Sequence, residues 1–570
     1  MKIAFYTLGC KTNQFETQAL ETLFEQRGHT IVPFDEFANV YIVNTCTVTA
    51  VSDKKSRQMI RRARKRAPEA LVAVCGCYPQ THPGDMEGLE VDLVAGTGDR
   101  TGFVELLERT WQERQPITAL DNAFHRRSFE ALPAGGLEGR TRAMLKIEDG
   151  CVNFCSYCII PYARGRVRSL PLEQCAREAR TLAEAGYQEI VLTGIEISSW
   201  GQELGDGLAL IDAVEAICRA VPAHIRVRLG SLEPRTITPE FCRRAAALPN
   251  LCPHFHLSMQ SGCDSVLARM NRKYDSERYY ESVKLLNEAY ETPGITTDLI
   301  VGFPGETEEE FQQTLAFIRR CAFSAMHIFP YSRRPGTPAD GMPGQILNSV
   351  KEERAHRAQQ AALDAMLAGL HPGCILPAVV THLESFGAFV DIGCGLTSLV
   401  GIEHISVSRI AHPAERFYPG QWIHVAVRGV DPSMGRVHLT HRELLGTWLE
   451  NAAAFAAGET VVGLVRSVEP YGVFVELAPN LAGLAEAAPG LDCGQLVSVY
   501  IKSIIPEKMK IKLVVLHAMR DETFAFPLEY RLHAGHIRRW IYSVPGAARV
   551  VFPRLIRRLS LYFSAPARYD

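Results

Sequence analysis

The sequence predicts an α/β protein of several domains, because it has three regions of different character. Short strand-like runs alternate with helical patterns over residues 1–345, which predicts parallel sheets covered by helices. A duplicated pattern of short strands follows and predicts two small β-barrels. The length of 570 residues allows about four domains. We therefore predict an N-terminal doubly wound parallel sheet, a central partial (β/α) barrel and two C-terminal OB-type β-barrels.

Composition excludes several classes of protein. No run of roughly 18 apolar residues occurs and the apolar stretch at the N-terminus is too short for a signal peptide, so we expect a cytoplasmic protein without membrane contact. Lys and Arg total 61 against 63 Asp and Glu, so nucleic-acid binding would need local basic patches. The 16 cysteines then indicate metal ligands or redox groups rather than a disulfide scaffold.

The first region, 1–115, places three cysteines after predicted strands. Cys10, Cys46 and Cys77 each follow a strand-like run. Because the carboxyl ends of parallel strands share one edge of a sheet, these distant cysteines can converge there. Buried thiols are the alternative, and we predict that Cys75 is a buried structural thiol. The four strand-like runs are 2–8, 40–44, 71–75 and 92–96.

The next two regions are a predicted linker, 116–141, and a predicted barrel, 142–345. The linker segment is rich in proline and glycine and has little periodicity. The barrel segment has six strand candidates, most of them separated by predicted helices. These candidates are 143–148, 189–194, 225–230, 254–259, 297–302 and 325–331. A polar connecting helix, 346–372, follows.

Cys151, Cys155 and Cys158 form a C-x3-C-x2-C pattern directly after the first strand of the predicted barrel. A closed zinc site normally takes a fourth protein ligand, and no further Cys or His lies close in sequence. A [4Fe–4S] cluster held by three thiolates leaves one iron open for a ligand. The pattern favours such a cluster, with zinc or a chance grouping of buried thiols as alternatives.

With Tyr157 the pattern becomes C-x3-C-x-aromatic-C, which resembles the signature of radical S-adenosylmethionine enzymes. The resemblance implies that the open iron binds S-adenosylmethionine, whose cleavage gives a 5′-deoxyadenosyl radical. It also implies a partial barrel with its site at the carboxyl ends of the strands. The alternative for each strand-end residue is a bond to nearby backbone. The cofactor contacts expected from this resemblance are Tyr157, Gly194 (by leaving room for a ligand), Ser231, Glu233, Gln260 and Asp298.

The segments TLGCKTNQFET (7–17), VNTCTVT (43–49) and CGCYPQ (75–80) resemble the N-terminal domain of the methylthiotransferases. The resemblance implies that Cys10, Cys46 and Cys77 hold a second [4Fe–4S] cluster that carries or donates sulfur. The resemblance also implies that S-adenosylmethionine supplies the methyl group, while the sequence does not identify the sulfur source or the electron donor. The resemblance covers about residues 1–345.

Within that family, the sequence around the first cysteine most resembles that of the threonylcarbamoyladenosine branch. This implies conversion of N6-threonylcarbamoyladenosine at tRNA position 37, in the anticodon loop, to its 2-methylthio derivative. Two alternatives remain: the same chemistry on N6-isopentenyladenosine, and an RNA-binding regulator with a degenerate enzyme region. The presence of all six expected cysteines argues against degeneracy.

Residues 54–66 contain eight Lys or Arg and no acid. A solvated helix face is the ordinary explanation of such a run, but beside the resemblance to a tRNA enzyme it predicts phosphate contact. The expected contacts are Lys54, Lys55, Arg57, Arg61 and Arg62.

The last part of the chain contains a repeat, because ESFGAFV (384–390) recurs as EPYGVFV (469–475). The two copies, 373–445 and 458–513, resemble ribosomal protein S1-type OB barrels and imply binding of single-stranded RNA or the ribosome. This departs from the methylthiotransferases, which usually end in one barrel of another RNA-binding type. For the basic segment 514–570 no fold is predicted. The expected RNA contacts, which alternatively fill the barrels, are Phe386, Phe389, His404, Tyr471 and Phe474.

Overall fold

The computed structural model describes residues 1–133, 141–205, 207–393, 397–431, 436–487, 490–519 and 526–545. The chain divides into two compact units, 1–362 and 363–570. Much of the predicted basic segment 514–570 and residues 134–140 of the predicted linker lie outside the described residues. Within the described part, no helix combines the length and the apolar character needed to cross a membrane.

The first unit begins with a six-stranded parallel sheet of order β2-β1-β3-β4-β5-β6. Its elements are β1 (Lys2–Thr7), α1 (Lys11–Gln26), β2 (Thr30–Val32), β3 (Val40–Thr45), α2 (Ala50–Arg66), β4 (Leu71–Gly76), α3 (Cys77–Thr81), β5 (Leu93–Ala95), α4 (Arg100–Glu113) and β6 (Ile117–Ala119).

Helices cover both faces of this sheet, as alternate residues of β3 demonstrate. Val40 and Ile42 pack in one apolar cluster with residues of α1 and α4. Tyr41 and Val43 pack in a second cluster with residues of α2. Because successive strand residues point to opposite faces, a strand that is buried along its whole length requires helices on both sides. The predicted doubly wound sheet is therefore confirmed.

The segment 116–141, predicted as a linker, contributes the edge strand β6, which pairs in parallel with β5. The strand has only three residues, so it gave too little periodicity for recognition in the sequence.

A partial barrel follows, and all six predicted strands form in sequence order. Its elements are β7 (Arg142–Lys146), β8 (Glu148–Asp149), α5 (Ile160–Arg164), β9 (Arg168–Ser169), α6 (Leu172–Glu184), β10 (Glu189–Thr193), α7 (Leu210–Ala220), β11 (Arg226–Leu229), β12 (Ser231–Leu232), α8 (Pro239–Ala246), β13 (His254–Leu257), α9 (Asp264–Arg269), α10 (Ser276–Ala289), β14 (Gly294–Val301), α11 (Glu308–Cys321), β15 (Ala325–Pro330) and α12 (Asn348–Gly369).

The barrel strands form two parallel sheets, β7-β10-β11 and β12-β13-β14-β15. In the described part of the chain β7 and β15 do not pair with each other, so the barrel is open along one side. The outer face is apolar: Leu145, Leu192, Leu229 and Leu257 lie in one large core cluster. The predicted partial (β/α) barrel is confirmed.

A buried ionic network joins the N-terminal sheet to the barrel through Glu16 of α1. The Glu16 carboxylate accepts hydrogen bonds from Arg100 and Lys146, at 2.8 Å each, and from Arg164. All four side chains are essentially excluded from solvent. Burial by itself would raise the pKa of Glu16, but Arg164, Lys146 and Arg100 hold it well below its usual range. The carboxylate is therefore ionised and bridges the two subdomains.

The second unit contains two closed five-stranded barrels. The first consists of β16 (Ile375–Glu384), β17 (Gly387–Asp391), β18 (Thr397–Gly401), β19 (Trp422–Asp431) and β20 (Arg436–Thr440). After α13 (Trp448–Ala452), the second consists of β21 (Thr460–Glu469), β22 (Gly472–Ala478), β23 (Leu481–Ala485), β24 (Leu496–Ile505) and β25 (Lys510–Ala518).

The two barrels share one topology, because each closes in the strand order first-second-third-fifth-fourth. The duplicated motif forms the same tight hairpin in both, with Glu384 opposite Gly387 and Glu469 opposite Gly472. The predicted repeat and the two OB-type barrels are confirmed.

We predict that Glu16→Gln destabilises the first unit by about 3–5 kcal/mol, because it leaves Arg100, Lys146 and Arg164 buried without their carboxylate. Hydrogen exchange of the β3 and β4 amides in the full-length protein measures this loss. Glu105→Gln is the matched control: the Glu105–Arg27 pair is exposed, so we expect a change of less than about 1 kcal/mol. Unchanged protection in Glu16→Gln would contradict the bridging role.

Candidate active site

Three cysteines meet at the carboxyl edge of the N-terminal sheet. Cys10 follows β1 and caps α1, Cys46 follows β3, and Cys77 follows β4 as the first residue of α3. Because β2 and β3 flank β1 on opposite sides, the strand order reverses between β1 and β3, which is where ligands bind in doubly wound sheets. Cys75 is fully buried in an apolar cluster, as predicted, because β4 ends between it and Cys77.

Two glycines allow the three cysteine loops to approach one another. A Cβ on Gly9, whose φ is +105°, would lie 2.9 Å from the Cys46 Sγ atom. A Cβ on Gly76, whose φ is +101°, would lie 2.5 Å from the Thr45 carbonyl oxygen. Both positions combine a left-handed backbone with a close contact, so only glycine fits there.

Electrostatic coupling also places these thiols together. Burial, with a smaller contribution from the neighbouring Cys46 and Cys10 thiols, raises the pKa of Cys77 to about 12, although Arg164 acts to lower it. Burial likewise raises the pKa of Cys46, with Cys10 adding to the shift. Three sulfur donors therefore share one environment.

The second cysteine set lies in the loop between β8 and α5. The Cys151 N–H donates to the Gly165 carbonyl at 3.0 Å, and the Cys158 N–H donates to the Cys155 carbonyl at 2.9 Å. These bonds fold the loop so that its three cysteines line one cavity. Burial and the neighbouring Cys155 together raise the pKa of Cys158 to about 12.

Both cysteine sets fit iron–sulfur clusters by their donor chemistry. All six thiols are free, and each set offers three sulfur atoms without a fourth protein ligand. In the described residues no group of His, Cys, Asp or Glu surrounds a single metal position. Cluster cysteines need no such common point, because each thiolate binds a different iron atom.

A cavity of about 700 Å³ adjoins the Cys151–Cys158 loop. It brings together the three cysteines of that loop and four of the expected cofactor contacts: Tyr157, Ser231, Glu233 and Gln260. Glu233 is nearly buried and forms an ion pair with Arg235 at 2.8 Å. Asn153, Glu196 and Arg272 also line the cavity and were not predicted as site residues from the sequence.

Asp298 lies in an adjoining cavity of about 750 Å³. Tyr157, Cys158 and Gln260 line both cavities, so the two spaces share a wall. The Gln260 backbone has a φ of +67°, a strained conformation for a residue with a side chain. One Asp298 carboxylate oxygen lies 3.2 Å from the His256 Nε2 atom of the neighbouring strand β13.

The second cavity also reaches the N-terminal domain. Val48 and Thr49, just after Cys46, form part of its wall, and Phe329 and Tyr331 from the end of β15 line another part. The loops of both cysteine sets therefore border the same space.

The space around Gly194 is filled by another side chain of the protein. The sequence predicts that its missing side chain leaves room for a ligand, but a Cβ there would lie 2.7 Å from a Glu148 carboxylate oxygen. That oxygen accepts the N–H groups of Ile195 and Glu196 at 2.9 and 2.7 Å. Glu148 occupies the space at Gly194, and burial raises its pKa well above the usual range.

The predicted basic run forms the exposed side of α2, but only some of its side chains have a hydrogen-bond or ion-pair partner. Arg57 donates to the Tyr78 hydroxyl, and Arg62 forms an ion pair with Asp35 at 2.6 Å. Lys54, Lys55 and Arg61 are exposed and have no ion pair or hydrogen bond in the described residues. These three cations remain available for phosphate, as does Lys65 of the same run, which is also exposed and has no ion pair or hydrogen bond in the described residues.

The two barrels present equivalent aromatic pairs. Phe386 and Phe389 are arranged edge to face at 5.9 Å, and Tyr471 and Phe474 at 6.3 Å. Phe386 and Tyr471 are largely exposed, and each pair lies on the hairpin formed by the first two strands of its barrel. These side chains point outward and do not fill the barrels.

Strand register extends each aromatic surface with a leucine and a basic residue. In the first barrel Phe389 lies opposite Leu399, which lies opposite His438. In the second barrel Phe474 lies opposite Leu484, which lies opposite Lys512. Opposite residues share a face of the sheet, so each barrel has the row aromatic-leucine-basic.

His404 and Trp422 add to this comparison. His404 contacts Arg428, and burial together with Arg428 lowers the His404 pKa to about 4, so its ring is neutral at physiological pH. Trp422 is 71% exposed, although the second barrel has the buried Leu496 at the matching place. That difference between the repeats is the sequence signal by which Trp422 could have been found.

Comparisons with known proteins agree with this organisation. The profile of the radical SAM superfamily matches residues 145–318, that of the "Uncharacterized protein family UPF0004" matches residues 2–96, and that of the S1 RNA binding domain matches residues 370–442.

Two curated relatives and one solved structure illustrate the similarity. "Threonylcarbamoyladenosine tRNA methylthiotransferase MtaB" of Bacillus subtilis (strain 168) is 43% identical over 356 residues, which cover 62% of this chain and 79% of that relative. A "tRNA-2-methylthio-N(6)-dimethylallyladenosine synthase" of Pelotomaculum thermopropionicum is 33% identical, covering 62% of this chain and 80% of that relative. The radical S-adenosylmethionine methyltransferase TsrM from Kitasatospora setae aligns with a TM-score of 0.45 at 17% identity, covering 60% of this chain and 77% of that chain.

The identity to the Bacillus protein extends over most of that relative's length. The first 345 residues and the described cysteine loops agree with the same assignment. The chain therefore belongs to the radical S-adenosylmethionine methylthiotransferase family.

Proposed function

We propose that this enzyme converts N6-threonylcarbamoyladenosine at tRNA position 37 to 2-methylthio-N6-threonylcarbamoyladenosine. The observation that carries the proposal is the cavity of about 750 Å³ bordered by the loops of both cysteine sets. It lies between the place where a radical would form and the place where sulfur would be held. The name of the Bacillus relative supports this substrate.

Each cysteine set has a distinct part in this proposal. Cys151, Cys155 and Cys158 hold the [4Fe–4S] cluster that the radical SAM family implies, and Cys10, Cys46 and Cys77 hold a second cluster. When bound, the clusters and S-adenosylmethionine supply the radical, the sulfur and the methyl group. Ser231, Glu233 and Gln260 bind the polar parts of S-adenosylmethionine.

The remaining wall of the substrate cavity orients the target base and excludes water. Ile159, Ile300 and Phe329 give it an apolar surface, which protects a reactive carbon centre from solvent. Thr49, Gln260 and Asp298 supply the few polar groups that fix the orientation of the base.

Recognition of the tRNA rests on surfaces outside the cavity. Lys54, Lys55 and Arg61 contact phosphates of the anticodon loop. The aromatic rows of the two barrels stack on single-stranded RNA, either of the tRNA or of another RNA such as that of the ribosome. The enzyme works in the cytoplasm, with an electron donor and a sulfur source still to be identified.

Iron content tests the two-cluster arrangement. After anaerobic reconstitution we expect roughly eight irons per chain, and roughly four in the Cys10→Ala/Cys46→Ala/Cys77→Ala variant. Cys75→Ala is the matched control and keeps the full content, because Cys75 lies in an apolar cluster. A triple variant with unchanged iron would exclude the second cluster.

Nucleoside mass spectrometry of tRNA from a deletion strain tests the substrate. We expect the 2-methylthio-threonylcarbamoyl nucleoside to disappear and its unmodified precursor to accumulate, with the isopentenyl series unchanged. Restoration by the intact gene, but not by a Cys151→Ala gene, links the loss to this enzyme. Loss of the 2-methylthio-isopentenyl nucleoside instead would support the alternative substrate, and no change in either would support the RNA-binding regulator.

Salt dependence of tRNA binding tests α2. Replacing Lys54, Lys55 and Arg61 by Gln should reduce the slope of log affinity against log salt by about 2 to 3, which is roughly 0.7–0.9 for each lost phosphate contact. The matched control replaces Arg177, Arg243 and Lys284, three exposed cations on α6, α8 and α10, with the same change in charge. Equal slopes in both variants would reject a specific role for α2.

A further inference from the structure

One arginine contacts a thiol of the Cys151–Cys158 loop. The Arg272 Nη1–H donates to the Cys155 Sγ atom at 3.3 Å. The same guanidinium donates from Nε to the Tyr274 hydroxyl at 3.0 Å and from Nη2 to the Ser258 carbonyl at 3.3 Å. These two bonds fix the plane of the guanidinium, so that Nη1 is directed at the Cys155 sulfur.

A second arginine lies beside the other cysteine set, although it belongs to the barrel. Arg164 ends α5, six residues after Cys158, and is completely buried. Its Nη2–H donates to the Asn13 side chain at 2.7 Å, and Asn13 in turn donates to the Thr45 carbonyl next to Cys46. The α5 helix also packs against α3, which begins with Cys77, and the Arg164 guanidinium is close enough to lower the pKa of the Cys77 thiol.

Within the described residues, the charges around Arg164 do not balance. Arg100, Lys146, Arg164 and Arg168 form ion pairs with only two buried carboxylates, Glu16 and Asp149. Lys146 and Arg164 lower the pKa of Asp149 to about 2 despite its burial, so both carboxylates are ionised. The half-buried Glu130, which accepts the Arg100 backbone N–H, adds a third negative charge at the edge.

Four cations against three carboxylates leave a positive excess in a buried region, which is costly unless an anion is bound there. Arg164 is the member of this group that reaches a cysteine. A cluster held by Cys10, Cys46 and Cys77 would supply negative charge at that point.

We infer that each cysteine set has its own arginine that sets the reduction potential of its cluster: Arg272 acts through Cys155, and Arg164 acts through Cys77. The inference rests on the two-cluster proposal above. Hydrogen bonds to sulfur and nearby charge are among the main determinants of cluster potential. A guanidinium stabilises the more negative, reduced state, so removing it lowers the potential.

Arg164 also connects the two cysteine sets, because it lies just after the loop that carries Cys151, Cys155 and Cys158. The α5 loop is held to the N-terminal domain by the Thr97 hydroxyl, which donates to the Ala163 carbonyl at 2.6 Å. Arg164 is therefore a positioning residue that ties the environment of one cluster to the fold of the other.

The test is a redox titration of the full-length protein, followed by electron paramagnetic resonance. Each variant is made in a background that lacks the other cysteine set, so that one cluster is observed at a time. At a fixed potential we expect Arg272→Gln to reduce the ratio of reduced to oxidised cluster at Cys151, Cys155 and Cys158 by about tenfold, a shift of roughly 59 mV for one electron. The cluster at Cys10, Cys46 and Cys77 should stay unchanged in this variant.

Arg164→Gln should give the reverse pattern, with a shift only for the cluster at Cys10, Cys46 and Cys77. Arg269→Gln and Arg168→Gln are the matched controls. Arg269 lies three residues before Arg272 but pairs with Glu310, and Arg168 shares the network of Arg164 but pairs with Asp149. Neither residue contacts a thiol in the described structure, so neither variant should shift a potential.

Lysine variants keep the test decisive if a glutamine variant fails to fold. Arg272→Lys and Arg164→Lys retain the charge and should restore most of the potential. Potentials that do not change, or that shift together in both clusters, would overturn the inference. Failure of the parent protein to assemble two clusters would instead count against the proposed function, so the two failures are distinguishable.

Discussion

The Glu16 carboxylate is the interaction on which the first unit depends. It lies on α1, which begins directly after Cys10, and accepts from Arg100 of the N-terminal domain and from Lys146 and Arg164 of the barrel. A buried charge of this kind is tolerated only while its partners are in place, so the network specifies one relative position of the two subdomains. That position makes the loops of both cysteine sets border the same cavity.

The two cysteine sets reach this cavity by different means. The Cys151–Cys158 set lies in one short loop, and local backbone hydrogen bonds are enough to bring its sulfur atoms to one side. The other set is spread over three strand ends and depends on the parallel order of β1, β3 and β4 and on the close packing at Gly9 and Gly76. The three cysteines are distant in sequence, so replacing either glycine would force apart the loops that bring their sulfur atoms together.

The second unit repeats one barrel and joins its copies through buried charge. Glu476 of the second barrel is fully buried between Arg416 of the first and Arg466 of its own barrel. The Asn480 amide oxygen accepts the Val407 N–H at 2.9 Å, and its amide nitrogen donates to the Arg442 and Gly446 carbonyls at 2.7 and 2.9 Å. Such bonds fix the two barrels to each other, so their aromatic surfaces form parts of one unit.

The sequence by itself determined most element types, the repeat, the six strands of the barrel and the grouping of Cys151, Cys155 and Cys158. These features depend on local periodicity and on motif spacing, which a linear pattern records. The short edge strands β2 and β6 were not predicted from the sequence, because three residues carry too little periodicity.

Only the tertiary structure decided which polar groups meet across the chain. Nothing in the spacing indicates that Arg164 reaches Cys77, that Arg272 reaches Cys155, or that Glu148 fills the space at Gly194. The tertiary structure also shows that Lys54, Lys55 and Arg61 have no partner in the described residues, whereas Arg57 and Arg62 of the same helix do. The physical reason is that burial makes a charge depend on its nearest partners, and those partners lie far apart in sequence.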